Sequence, residues 1–251
     1  MNAELQETDR LRLDELLVRR GLFASRSRAR DAIERGTVRV AGAVAAKPGQ
    51  SVPASCDLEI DDPAKDYVSR AALKLIAGLD HFAFDPAGAE ALDVGASTGG
   101  FTQVLLERGA RRVYAVDVGR GQLHASLRVR PEIVSLEETD IRTLSPALLP
   151  EPPDLVVVDV SFISLKLVLP PALALARPPA QLIALIKPQF EAGRAHLKKG
   201  VVRDPQVHQA ICEDILAFVA GLGWNVRGII PSPVTGGNGN REFLLGARND
   251  V

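Results

Sequence analysis

Leu92-Asp93-Val94-Gly95-Ala96-Ser97-Thr98-Gly99-Gly100-Phe101-Thr102 is the stretch whose reading decides the fold. Its opening closes an apolar strand over 89–94, and its end begins a helix over 100–108 that Gly109 stops. Between the two stand Gly95, Gly99 and Gly100. At the carboxyl end of a first parallel strand, residues without side chains let a ligand approach the backbone and let the helix start tightly. The spacing is not Gly-x-Gly-x-x-Gly, and no Lys-Ser/Thr pair follows, which disfavours a dinucleotide or a phosphate loop.

Downstream, strand and helix patterns alternate. Strands are expected over 112–116, 132–135, 154–160 and 182–187, with a helix over 121–127 and another over 204–222 capped by Asp204. Ile211, Ile215, Phe218, Val219 and Leu222 should face inward on the latter. Strands over 225–230 and 242–246, joined by a Gly/Asn-rich connection at 235–240, close the pattern. Continuous apolar strands between helices imply an α/β, Rossmann-like fold whose parallel sheet is covered on both faces. Asp117 ends the second strand, where an acid holds a ribose diol; the alternative is a turn-forming aspartate before Gly119. Asp140 can accept from an adenine amino group or cap a turn.

Upstream, Leu13, Leu16 and Leu17 form one stripe of a helix over 11–20, and Ser25 caps a second over 26–35 that Gly36 ends. Thr37-Val38-Arg39-Val40 alternates as a strand, and a further short strand follows at 58–60. This arrangement resembles the S4 RNA-binding fold. From Arg10 to Lys47 there are ten Lys/Arg against four Asp/Glu, a local balance of +6 in a chain whose net charge is −1. A neutral protein with one basic lobe suits phosphate contact. Arg12 is one candidate, and the S4 resemblance makes Arg26, Arg28 and Arg30 of the second helix the RNA-facing residues, spread over a broad face that suits phosphate contact more than base readout. Asp61-Asp62-Pro63-Ala64 marks a linker, and Ser69 is placed to cap a helix over 70–79. The expected domains are therefore 10–61 and 69–248, joined by 62–68.

Hydrophobic content of 46% with 24% charged residues fits a soluble globular protein, and no apolar run approaches the ~20 residues of a membrane span. No secretory signal core is evident, so a cytoplasmic, monomeric protein is expected. Cys56 and Cys212 match no metal-ligand spacing. His208 lies four residues before Cys212, read as a surface histidine beside a packed thiol, and no metal is expected.

Four short contexts remain: Ser-Arg-Ala-Ala-Leu-Lys at 69–74, Val-Asp-Val-Ser-Phe-Ile-Ser-Leu at 158–165, Leu-Ile-Lys-Pro-Gln-Phe-Glu at 185–191, and Gly-Asn-Arg-Glu-Phe-Leu at 239–244. With the glycine turn they resemble the TlyA-type, FtsJ-like rRNA methyltransferases, also called the hemolysin A family, from about Leu11 to Leu245. The resemblance implies S-adenosylmethionine as cofactor and ribose 2′-O-methylation of ribosomal RNA, with a cytidine of 16S or 23S rRNA as target. It makes Lys74, Asp159, Lys187 and Glu242 a catalytic tetrad in which Lys187 orients or deprotonates the hydroxyl. Gly95, Gly99, Gly100, Phe101, Asp117 and Asp140 become cofactor contacts, with Asp93 and Ser97 near the methionine end. Family members carry Arg-x-Trp-Val before the serine; here the stretch is Lys65-Asp66-Tyr67-Val68. Residues 189–203, with Arg194, Lys198, Lys199 and Arg203 against one acid, are expected as a mobile RNA-gripping loop at the mouth of the site. Two rivals remain: a ribosome-assembly factor with a vestigial methyltransferase domain, and a membrane-active hemolysin, for which no broad amphipathic basic helix is visible.

Overall fold

A computed structural model describes residues 9–251, the Arg194 side chain excepted. The chain forms two compact units that divide between Asp66 and Tyr67. In the first unit the elements are β1 (Arg10–Arg12), α1 (Leu13–Arg19), α2 (Arg26–Glu34), β2 (Val38–Val40), β3 (Ala43–Val44), β4 (Ser51–Pro53) and β5 (Leu58–Ile60). The first helix begins two residues later than its leucine stripe suggests, because Leu11 and Arg12 pair with Val52 and Ser51 in a β1–β4 ribbon. Ser25 Oγ accepts from Arg28 N at 3.3 Å and caps α2. Leu13, Leu16, Leu17, Ala29, Ile33 and Val38 share one small core. Part of the segment read as a linker is tied to this unit: Arg35 donates to both carboxylate oxygens of Asp62 at 2.7 and 2.8 Å, and Ala64 is buried.

The second unit opens with α3 (Ala72–Phe82). It begins later than expected because Ser69 Oγ accepts from Ala71 N at 3.2 Å and shapes a preceding turn instead of capping the helix. Then come β6 (Glu90–Val94), α4 (Gly100–Glu107), β7 (Arg112–Val116), α5 (Ala125–Arg128), β8 (Ile133–Leu136), β9 (Leu155–Val158), α6 (Leu165–Ala174) and β10 (Ala180–Ile186). The last elements are α7 (Pro188–Glu191), α8 (Pro205–Gly221), β11 (Asn225–Pro231) and β12 (Phe243–Asn249). Seven strands form one sheet in the order β8-β7-β6-β9-β10-β12-β11. The first five run parallel, and β12 is antiparallel to both β10 and β11. Side chains alternate between two cores: Ile183 and Leu185 pack with α3 and α4, while Leu182, Ala184 and Ile186 pack with α6 and α8.

Other departures have local causes. The helix expected over 121–127 shrinks to α5, because the Glu137 carboxylate accepts from Gly121, Gln122 and Leu123 N–H groups and holds them in a turn. Leu222 follows the end of α8 and is 37% exposed, whereas Ile211, Ile215 and Val219 are buried. His208 is not a surface residue. It is buried, with Nε2 3.0 Å from Val202 O and its ring against Phe243. Residues 189–203 are built, not loose: they contain the turn of α7, a 3-10 turn at Arg194–His196 and a Lys198–Val201 bridge. Asn240 pins this strap, donating to Gly200 O at 3.1 Å and accepting from Val202 N at 3.3 Å.

Candidate active site

Parallel strands deliver their ends to one edge, and the order of this sheet reverses between β6 and β9, where ligands of such folds bind. Gly95 sits there with φ +86, and a Cβ on it would stand 2.5 Å from Asp159 O. Gly99 has φ +96, and a Cβ would meet Leu127 and Leu123 side chains at 2.3 and 2.8 Å. Both positions therefore demand glycine.

Three neighbouring cavities line this edge. The first, about 520 Å³, is bordered by Gly95, Ser97, Asp117, Asp140 and Ile163, among others. A second of about 220 Å³ touches Ser69, Gly100, Phe101, Asp159 and Lys187, sharing Gly95, Ser97, Asp159 and Ser161 with the first. The third, about 490 Å³, is bordered by Lys74, Lys187, Gln189, Phe190, Asn238 and Glu242, and meets the second at Ser161 and Lys187. The two larger volumes suit a small ligand and a nucleotide side by side.

The acids around the first cavity differ. Asp117 accepts from Ser97 N at 2.8 Å and Gly119 N at 2.7 Å, so it shapes the turn while also facing the cavity. Asp140 caps a 3-10 turn and pairs with Arg142 at 2.6 Å; the Arg142 hydrogen bonds hold its carboxyl below the usual range. Asp93 is set back from the cavities. It is fully buried, accepts from Thr102 Oγ1 at 2.6 Å, and leaves Oδ1 without a partner. Burial, then repulsion from Asp159 and Asp117, pushes its carboxyl up to about 7 against the Thr102 hydrogen bond. Its reach to a ligand therefore runs through the turn it braces.

The four separated residues converge as two couples. Lys74 Nζ lies 2.5 Å from Glu242 Oε2, both side chains under a tenth exposed. Lys187 Nζ lies 2.6 Å from Asp159 Oδ1 and donates to Ser161 Oγ at 2.9 Å. Lys74 comes from α3, Asp159 follows β9, Lys187 follows β10, and Glu242 precedes β12. Buried charges are tolerable only when paired this closely. Gly236 packs against the Glu242 carboxylate, where a Cβ would meet Oε1 at 2.0 Å.

The candidate RNA contacts fare differently. Arg12 donates to Asp14 at 3.1 and 3.3 Å, and Arg26 to the same buried carboxylate at 2.9 Å. Arg28 donates to Ala64 O at 3.0 Å and Lys65 O at 3.3 Å. Arg30, Lys198 and Lys199 are exposed, while the Arg194 side chain lies outside the described residues. Sequence reasoning passed over Ser161, Phe162 and Glu191, although all three stand inside the quoted motifs. Phe162 has φ +66 and is 91% exposed at the cavity mouth, its ring 5.0 Å from that of Phe190.

Strand order, glycine turn and cofactor-sized cleft define a Rossmann-like, class I S-adenosylmethionine-dependent methyltransferase. The FtsJ-like methyltransferase profile matches residues 67–249 and the S4 domain profile matches residues 11–56. The chain belongs to the FtsJ-like methyltransferase family and carries an S4 domain ahead of it. It is 45% identical to the 16S/23S rRNA (cytidine-2'-O)-methyltransferase TlyA of Mycobacterium tuberculosis, over 96% of this chain and 91% of that one. It is 36% identical to Hemolysin A of Brachyspira hyodysenteriae, over 93% and 98% of the two chains. A solved structure of a hemolysin-named protein from Streptococcus thermophilus matches with TM-score 0.76 and 38% identity, over 96% of this chain and 89% of that one. No helix among the described residues is long and apolar enough to cross a membrane, and no cluster there has the side chains to hold a metal.

Proposed function

We propose that this chain transfers the methyl group of S-adenosylmethionine to the 2′-hydroxyl of a cytidine in ribosomal RNA, of the small subunit, the large subunit or both. The observation that carries it is the convergence of Lys74, Asp159, Lys187 and Glu242 where the cofactor cleft meets a second, nucleotide-sized cavity.

The cleft fits the cofactor. Gly95 and Gly99 keep side chains out of its path, Asp117 faces the place for a ribose diol, Asp140 the place for adenine, and Ser97 to Phe101 the amino-acid end. S-adenosylmethionine supplies an electrophilic methyl on a sulfonium. Asp117 and Asp159, the carboxylates that border the cleft near the turn, suit such a cation. Lys187, at the junction of the cavities, would orient the 2′-hydroxyl toward the methyl donor, while Asp159 and Ser161 fix the amine. The Lys74–Glu242 couple closes the far wall. Phe162, exposed beside Phe190, is a surface on which a base drawn from its stack can rest. The S4 unit adds phosphate affinity rather than sequence readout. The protein works as a monomer in the cytoplasm, where ribosomal subunits are.

A vestigial domain that only assists assembly would have no reason to keep two tightly paired buried couples at the cleft. Mapping ribose methylation across ribosomal RNA with and without this gene decides between them: loss of one or more 2′-O-methyl cytidines is expected, and an unchanged map sinks the enzymatic assignment. The Brachyspira relative's name supplies the other rival. Purified protein should release no dye from liposomes, and leakage at micromolar protein would favour membrane activity.

A further inference from the structure

The single acid in the otherwise basic strap, Glu191, pairs with none of the described cations around it. Its carboxylate reaches the start of α6, where Oε2 accepts from Ser164 Oγ at 2.6 Å and Oε1 accepts from Leu165 N at 2.8 Å. Ser164 Oγ also accepts from Lys166 N at 3.2 Å, so serine and glutamate cap one helix together. That helix contains Pro170 and Pro171, which contribute no N–H to its backbone ladder, so its end groups matter more than usual. An acid is also favoured at a helix N-terminus.

The two capped segments are the ones that carry the chemistry. Glu191 ends the turn of α7, whose N-cap is Lys187, and Phe190 N donates to Lys187 O at 2.9 Å. Ser164 ends the segment that starts at Asp159 and includes Ser161. The segments are therefore joined at both ends, by Lys187 with Asp159 and Ser161 at one and by Glu191 with Ser164 and Leu165 at the other. The Phe162 and Phe190 rings, 5.0 Å apart, lie between.

We propose that Glu191 is a positioning residue for methyl transfer: it clasps the segment of Lys187 to the segment of Asp159 and so fixes the lysine amine at the junction of the two cavities. The proposal rests on the ribose-methylation assignment above. Misplacing a reacting group by about 1 Å costs roughly 100-fold in rate. With the full-length protein, S-adenosylmethionine and ribosomal subunits, Glu191→Ala should therefore lower kcat by about 30- to 100-fold. The KM for subunits and the Kd for the cofactor should each stay within about threefold, since neither larger ligand is held by this carboxylate. Glu191→Gln should keep at least about a third of wild-type kcat: its oxygen can accept from Leu165 N and its amide can donate to Ser164 Oγ.

Full kcat in a folded Glu191→Ala protein overturns the clasp. So does a Gln variant as poor as the Ala variant, which would make negative charge the essential property. A loss confined to KM would move Glu191 to RNA docking and also overturn it. Should Glu191→Ala not fold, Ser164→Ala removes the shorter bond together with the cap on Lys166 N, and unchanged kcat there has the same force. Wild-type protein that transfers no methyl overturns the assignment of function instead. The crystal structure of the variant then decides the clasp, which requires that Lys187 Nζ leave the 2.6 Å contact with Asp159.

Discussion

The tetrad of the methyltransferase unit and the Asp14 cluster of the S4 unit pair their charges in different ratios. In the tetrad of the methyltransferase unit each lysine has one carboxylate to itself: Lys74 with Glu242, Lys187 with Asp159, all largely buried. In the S4 unit a single fully buried carboxylate, Asp14, serves both Arg12 and Arg26, whose side chains stay 50% and 54% exposed. Burial opposes the Asp14 charge, but hydrogen bonds from Arg12 and Arg26 outweigh it and hold the carboxyl below its usual range. One-to-one pairing cancels charge and fixes atoms, as chemistry requires. Two-to-one pairing anchors the arginines yet leaves a positive excess facing outward, as phosphate binding requires. Stoichiometry and burial, more than residue type, separate the tetrad from this arginine pair.

The largest effect should come from breaking a couple. Lys187→Ala is expected to abolish transfer of tritiated methyl to ribosomal subunits while cofactor affinity stays within a few-fold by calorimetry. Substantial turnover would show that one-to-one pairing at this site is structural only. Next is removal of the two-to-one surface. A chain lacking residues 1–61 should still bind S-adenosylmethionine, because every residue bordering the cofactor cavities lies beyond Tyr67, yet its activity on subunits should collapse. Changing Arg26, Arg28 and Arg30 together to Ala should reproduce most of that loss. Each phosphate contact removed should lower the log–log salt slope of binding by roughly 0.7–0.9. Full-rate methylation by the truncated chain would end the docking role.

A smaller effect belongs to Asp117. Removing a charge-assisted hydrogen bond costs about 1.5–3 kcal/mol, so Asp117→Ala should weaken cofactor binding roughly tenfold or more. Because this carboxylate also holds Ser97 N and Gly119 N, some of the loss will reflect the shape of the turn. Unchanged affinity in calorimetry would count against the ribose role. The smallest effect is one of pH. Asp93 titrates near 7 in the folded protein, above its unfolded value, so the native state binds a proton that the unfolded chain releases. The stability it contributes is full below about pH 4 and is lost as pH rises toward and through 7. Asp93→Asn should flatten that decline in denaturation midpoints measured from pH 5 to 8, and an unaltered slope would remove Asp93 from the account.

Much of this was legible in the sequence because the signals were local. The glycine turn announced the first strand and helix of the sheet, and the runs around Val157 and Ile183 had the continuous apolar character that burial on two faces imposes. The tetrad could be read only as four motifs in order; what joined them in space was the sheet edge. Long-range hydrogen bonds were invisible. Glu137, holding three N–H groups from a segment more than a dozen residues earlier, turned a predicted helix into a loop. Asp14, counted in the sequence only as one of four acids in the basic lobe, proved to be the buried anchor of two arginines. Asn240, which ties the strap down from a distant segment, carries no periodic signature either.

The antiparallel β12 has a consequence in time. Its pairing of Phe243 with Ile186 sets Glu242 beside Lys187, because a reversed strand presents its beginning where its neighbours present their ends. During synthesis Glu242 emerges 55 residues after Lys187 (242 − 187), roughly 3–11 s later at ordinary elongation rates. In that interval the strands bordering the cofactor cleft are already made, but the slot between β10 and β11 is empty and Lys74 has no partner. The tetrad is therefore complete only when the last strand of the sheet has been made and inserted.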